Sequence, residues 1–148
     1  MKKVFTILFF VLSFSAFAQK VKLKKDKVII DDVEVYNYER QGDTYTFSTL
    51  SAVEFVTVLS TEYQVRNDAY YRTPNPSKYG MSPLKKEFVF TVRFLKSGQE
   101  IFIDMDHKDV IKAIYKSKLV DENGNIDEEK LTIFINKYNN ENLKLKIN

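Results

Sequence analysis

Phe88, Phe90, Val92 and Phe94 stand at every second position of Glu87 to Leu95 (EFVFTVRFL), with Thr91 and Arg93 between them. Side chains of a strand alternate between its two faces, so this run predicts a strand with one apolar side. The period of two recurs through most of residues 20–105. Beyond Asp106 it changes to 3.6. A chain that alternates first and then follows a helical stripe buries both patterns by laying helices on a sheet. The fold class expected is α+β: an antiparallel β-sheet of six to seven strands in hairpins, with two C-terminal helices packed on one face or end.

Individual segments sharpen this expectation. Val21 and Leu23 alternate with lysines, and Asp26-Lys27 reads as a tight turn before Val28-Ile29-Ile30. Val33 to Glu39 (VEVYNYE) changes phase between Val35 and Tyr36, which predicts a bulge, since one extra residue re-aims every later side chain. Arg40 to Asp43 is a turn, and Thr44 to Thr49 (TYTFST) alternates cleanly. Val53 to Leu59 (VEFVTVL) is a strand with a similar slip at Phe55-Val56, and Glu62 to Val65 either extends it or pairs beyond it. Lys96 to Gln99 turns the chain back into Glu100 to Met105.

Asp106 is placed to cap a helix starting at His107, with Val110, Ile111, Ile114, Tyr115 and Leu119 as its apolar stripe. Asp127 opens a second helix with Leu131, Phe134, Ile135 and Tyr138 at i, i+3, i+4 and i+7. Leu143, Leu145 and Ile147 alternate with Lys144 and Lys146 and predict a last strand over 143–147.

Residues 1–18 carry an address rather than a fold. Met1-Lys2-Lys3 is basic, Val4 to Phe17 is nearly all apolar, and Ala16-Phe17-Ala18 places small residues before a cut at Gln19. That is the order of a secretory signal peptide, too short to span a bilayer as a helix. The expected organisation is a signal peptide over 1–18 and one domain over 19–148. Within that domain, 19–65 and 87–105 are strand-rich, 66–86 is a long Pro/Tyr loop, and 107–138 holds the two helices.

Removing the signal changes how the charge reads. The full-chain net charge of +3 includes Lys2 and Lys3, and the remaining 130 residues hold 21 basic and 20 acidic side chains. No general basic excess points to nucleic acid. Cysteine is absent. That excludes thiol nucleophiles, thiolate zinc sites, iron–sulfur clusters and lipid attachment at a cysteine, and leaves packing alone to hold an exported fold. No second apolar run approaches membrane-spanning length, so no stable membrane insertion is expected after cleavage.

Three places invite a chemical reading. Leu119 to Lys130 (LVDENGNIDEEK) has the glycine and several oxygens of a calcium loop. However, aligning Gly124 at position 6 puts Leu119 at position 1 and Lys130 at position 12, where carboxylates must grip the ion. It reads instead as a turn between helices. Asp104, Asp106 and His107, with Asp109, form the densest acidic cluster beside the single histidine and support the alternative of a metal-assisted hydrolase. Asp106 and Asp109 also suit a helix N-terminus on electrostatic grounds. The Pro/Tyr loop, with Tyr70, Tyr71, Arg72 and Tyr79, combines flat amphipathic rings with cations, a pattern suited to a glycan, a peptide or an envelope protein. The lysines at 20, 22, 24, 25 and 27 read as the wet side of an edge strand, where lysine discourages edge-to-edge pairing.

The Ala16-Phe17-Ala18-Gln19 junction, the Lys-, Asn- and Ile-rich mature chain and the segment VDENGNIDEEKLTIFINKYN resemble small exported proteins of Bacteroidota-type bacteria. The likeness is one of overall style and brings no catalytic residues with it. It implies a Gram-negative periplasm or exterior. The expectation is an exported protein without enzymatic activity or cofactor, which binds through the Pro/Tyr loop. The alternatives are the Asp104/Asp106/His107 hydrolase and a structural protein that pairs through its strand edges.

Overall fold

The computed structural model describes residues 20–148, so the predicted signal peptide lies outside the described residues. Seven strands follow one another as β1 (Val21–Lys24), β2 (Lys27–Ile30), β3 (Val33–Gln41), β4 (Thr44–Ser48), β5 (Glu54–Arg66), β6 (Leu84–Phe94) and β7 (Glu100–Ile103). Each pairs antiparallel with the next, and their order in the sheet is their order in the chain. The helical segments are α1 (Asp68–Arg72), a 3-10 turn (Pro76–Tyr79), α2 (His107–Ser117), α3 (Glu128–Tyr138) and α4 (Glu141–Lys144). The α+β expectation therefore holds.

Tight turns make the first hairpins. Lys25-Asp26 and Asp31-Asp32 all have positive φ, the geometry that matches the twist of paired strands and that Asp tolerates better than most residues. The first turn thus sits one residue earlier than Asp26-Lys27. Both predicted phase slips are bulges. Val28 pairs with Tyr36 while Ile29 pairs with Glu34, leaving Val35 as the extra residue. Phe47 pairs with Val56 while Ser48 pairs with Glu54, leaving Phe55 as the extra residue. The second bulge lets adjacent Phe55 and Val56 both reach the interior, where each is fully buried.

Alternate residues of β2 to β7 build one face of the core. Val28, Ile30, Phe47, Val58, Val92, Phe94, Ile101 and Ile103 pack against Val110, Ile111 and Ile114 of α2 and Leu131 and Phe134 of α3. Each large apolar side chain buried this way contributes about 1.5–3 kcal/mol. The helices begin as their caps dictate. The Asp106 carboxylate accepts the N–H groups of Lys108 and Asp109, and Asp127 accepts that of Lys130.

Two expectations need correction. Residues 143–147 are not a strand. Leu143 belongs to α4, and Leu143 and Ile147 pack with Val89, Phe102 and Tyr63 on the opposite side of the sheet. The spacing of Leu143 and Ile147 suits one helical face as well as an alternating strand, and the structure uses the helical reading. The segment also seals part of the outer edge of β7. Phe102 N–H donates to Asn139 Oδ1 (3.0 Å), and Asn140 N–H donates to the Phe102 carbonyl (2.9 Å).

The second correction concerns 66–86, which is not one irregular loop. β5 and β6 pair continuously from Val56↔Phe94 to Arg66↔Leu84. β4 accompanies β5 only as far as Leu59, and β7 joins β6 only from Phe90. Thr61–Arg66 and Leu84–Val89 therefore leave the sheet as a two-stranded ribbon, roughly 20 Å long at ~3.4 Å per residue. The irregular part shrinks to 67–83.

Candidate functional site

The ribbon carries the predicted tyrosines to its tip. Asn67 closes the tip: its backbone N–H donates to the Pro83 carbonyl (2.9 Å) and its side-chain amide to the Ser82 carbonyl (2.8 Å). α1 then brings Tyr70 and Tyr71 together edge to face, with centroids 5.2 Å apart. The Arg66 guanidinium lies 4.2 Å from the Tyr71 ring centre and pairs with Asp68. Tyr71 remains 55% exposed, and Tyr79 is 69% exposed on the 3-10 turn. Arg72, also exposed, ends α1. The tyrosines do not pin the tip onto the sheet.

Cations gather in two stretches. Residues 66–86 hold five (Arg66, Arg72, Lys78, Lys85, Lys86) and one carboxylate, residues 20–27 hold five lysines and one carboxylate, and the other described residues hold 11 and 18. Lys86 pairs with Glu62 and Lys85 with Glu87 along the ribbon. Among the described residues, Arg72 and Lys78 have no ion-pair partner.

The second predicted cluster is divided between two cavities. Asp104, Asp106 and Asp109 line an open cavity of about 730 Å³ beside Tyr63, Phe88 and Lys146. His107 lies in a different cavity, its imidazole stacked on Tyr45 at 3.9 Å and 9° from parallel. Burial holds its pKa below the ordinary imidazole value, against the opposing pull of Asp106. Asp106 is committed to its helix cap. Among the described residues, no group of three or more His, Cys, Asp or Glu side chains is arranged to hold a metal ion.

A third location carries no motif. A cavity of about 530 Å³ opens between the start of β3, the β4–β5 turn and the turn after α2. Tyr36 of β3 lines it and is only 7% exposed, yet its hydroxyl has no hydrogen-bond partner among the described residues. Burial, then the neighbouring Tyr115, pushes its pKa up to about 12. Tyr36 meets Phe55 at 4.9 Å and stands nearly perpendicular to Tyr115 at 6.1 Å.

The walls of this cavity are tied to one another. Thr49 is buried and its hydroxyl bonds Ser51 Oγ (2.9 Å) and the Val53 N–H (3.2 Å). Ser51 Oγ donates to the Glu122 carbonyl (3.3 Å). Asp121 accepts from the Asn123 and Asn125 backbones and from Asn125 Nδ2, which holds its carboxyl below the usual range. Asp121 thus organises the DENGN turn that forms this wall.

Sequence reasoning missed this cavity because its residues lie in four separate stretches with no spacing rule. The one available signal was Tyr36, an aromatic with a polar tip at an inward position beside a bulge. No protein-family model, curated protein or solved structure matches the chain.

Proposed function

We propose that this chain is an exported, non-enzymatic binding protein of a Gram-negative periplasm or exterior, and that it grips an acidic polysaccharide with the tip of the β5–β6 ribbon. The observation that carries this reading is the placement of two exposed cations without ion-pair partners, Arg72 and Lys78, beside exposed Tyr71 and Tyr79 on the tip of the ribbon. Tyrosine rings offer flat faces to the C–H surfaces of sugars, and Arg72 and Lys78 are free to pair with uronate carboxylates. His107, the one imidazole of the sequence, is held flat on Tyr45.

Binding of a polygalacturonate oligosaccharide, measured by calorimetry against a neutral oligosaccharide of equal length, tests this reading. The acidic ligand should bind and the neutral one should not. Binding should weaken steeply with salt. Tyr71→Ala with Tyr79→Ala should abolish it at unchanged melting temperature. Equal affinity for both ligands, or indifference to the two substitutions, would overturn the proposal. So would selective binding to anionic vesicles or to an acidic peptide instead.

A further inference from the structure

The cavity under Tyr36 stands apart from the ribbon tip and has its own chemistry. Its apolar surface comes from Val35, Leu50, Val120 and the Tyr115 ring. Its charged members are all acidic: Glu34, Asp121 and Glu122, with no lysine or arginine among the lining residues. Asp121 is spent on its own turn, but Glu34 and Glu122 have no side-chain partner among the described residues. The Tyr36 hydroxyl is the independent observation. A buried polar atom without a partner costs free energy unless something entering the site satisfies it. A phenol is neutral at physiological pH, so its oxygen can accept from a cationic donor while its ring supplies a negative face.

We infer that this cavity is a binding site for a primary ammonium carried on a small apolar body, the ammonium donating to the Tyr36 oxygen and the carboxylates of Glu34 and Glu122. The volume, about 530 Å³, falls within the range of small-molecule sites and exceeds what one water requires. The apolar body packs between Leu50, Val120 and the edge-to-face rings of Tyr36 and Tyr115. Preorganised walls lower the entropy cost of capture. An anion is disfavoured by the carboxylates, and a neutral analogue leaves them without a counter-charge.

Phenethylamine is the probe, with phenethyl alcohol and 3-phenylpropanoate as neutral and anionic controls of similar shape. Calorimetry on the mature chain should give saturable binding of the amine, about tenfold or more tighter than either control, the size expected of one charge-assisted hydrogen bond. Glu34→Gln with Glu122→Gln should remove that preference. Tyr36→Phe should weaken amine binding about tenfold by the same reasoning. Leu50→Lys, at an exposed rim position, should abolish amine capture with no threat to the core. Tyr71→Ala with Tyr79→Ala should leave it unchanged, which separates this site from the polysaccharide surface. Equal binding of all three probes, no saturable binding, or indifference to the carboxamide pair and to Leu50→Lys would overturn the inference.

Discussion

The imidazole of His107 lies flat on the ring of Tyr45, with centroids 3.9 Å apart. This contact joins the first turn of α2 to β4. Burial is the leading cause of its lowered pKa. Because the folded value lies below the unfolded one (~6.5), the unfolded chain binds the proton more readily. The associated stability is present above the unfolded pKa and declines as pH falls through the folded value. A proton NMR titration of the imidazole should therefore show a midpoint below that of free histidine. Tyr45→Ala should move it upward by exposing the ring. A midpoint unchanged by that substitution would mean that the stacking does not desolvate His107.

Leu143 and Leu145 report on how the C-terminus is built. Leu143 is buried against Val89 and Phe102, whereas Leu145 is 75% exposed. Leu143→Ala should cost about 2–5 kcal/mol in chemical denaturation. Leu145→Ala should stay within about 0.5 kcal/mol. A terminal strand would expose both residues on one face and make their effects similar.

Gly124 occupies a position no other residue fits. Its φ is +75°, and an added Cβ would stand 2.6 Å from Val53 Cγ1. Gly124→Ala should destabilise by about 1–3 kcal/mol through strain and overpacking together. Val53→Ala in the same chain should recover the part due to the Cγ1 clash, while Val53 Cβ at 3.1 Å and the unfavourable backbone conformation remain. Thermal melts of the two variants separate these contributions.

Tyr36 should be visible at high pH. Its pKa, pushed up to about 12, exceeds the unfolded value of about 10. Between these values the unfolded chain loses a proton that the folded chain keeps, so stability falls as pH rises through that window. The difference in phenolate absorbance between the native chain and Tyr36→Phe should show one group that titrates late. A group titrating near the ordinary value would place the hydroxyl in solvent.

Much of the sheet was legible because burial on one face imposes a period of two. The slips at Val35-Tyr36 and Phe55-Val56 were readable for the same reason, since a bulge is the only way to keep both halves of such a strand on the core. The caps at Asp106 and Asp127 were readable because few residues satisfy a helix N-terminus. The ribbon was legible on one side only. Tyr63 and Val65 alternate with Glu62, Gln64 and Arg66 and mark the β5 side as strand, whereas Leu84, Lys85 and Lys86 are all exposed and no alternation marks them. Phe88 shares its face with Phe90, Val92 and Phe94, yet it is 46% exposed because β6 runs beyond the helices there. The C-terminal pattern was ambiguous, because residues four apart share a face in a helix and in a strand alike. The tyrosines and cations of the tip stood out in composition, but their projection away from the core depended on pairing that composition does not encode.

Amide chemical-shift mapping of isotope-labelled residues 19–148 with a short polygalacturonate most directly tests recognition through the tip. The account predicts that perturbations concentrate in residues 66–86 and scale with occupancy, while the sheet amides around Phe47 and Val92 stay still. Perturbations centred on the sheet or the helices, or none at saturating ligand, would contradict it.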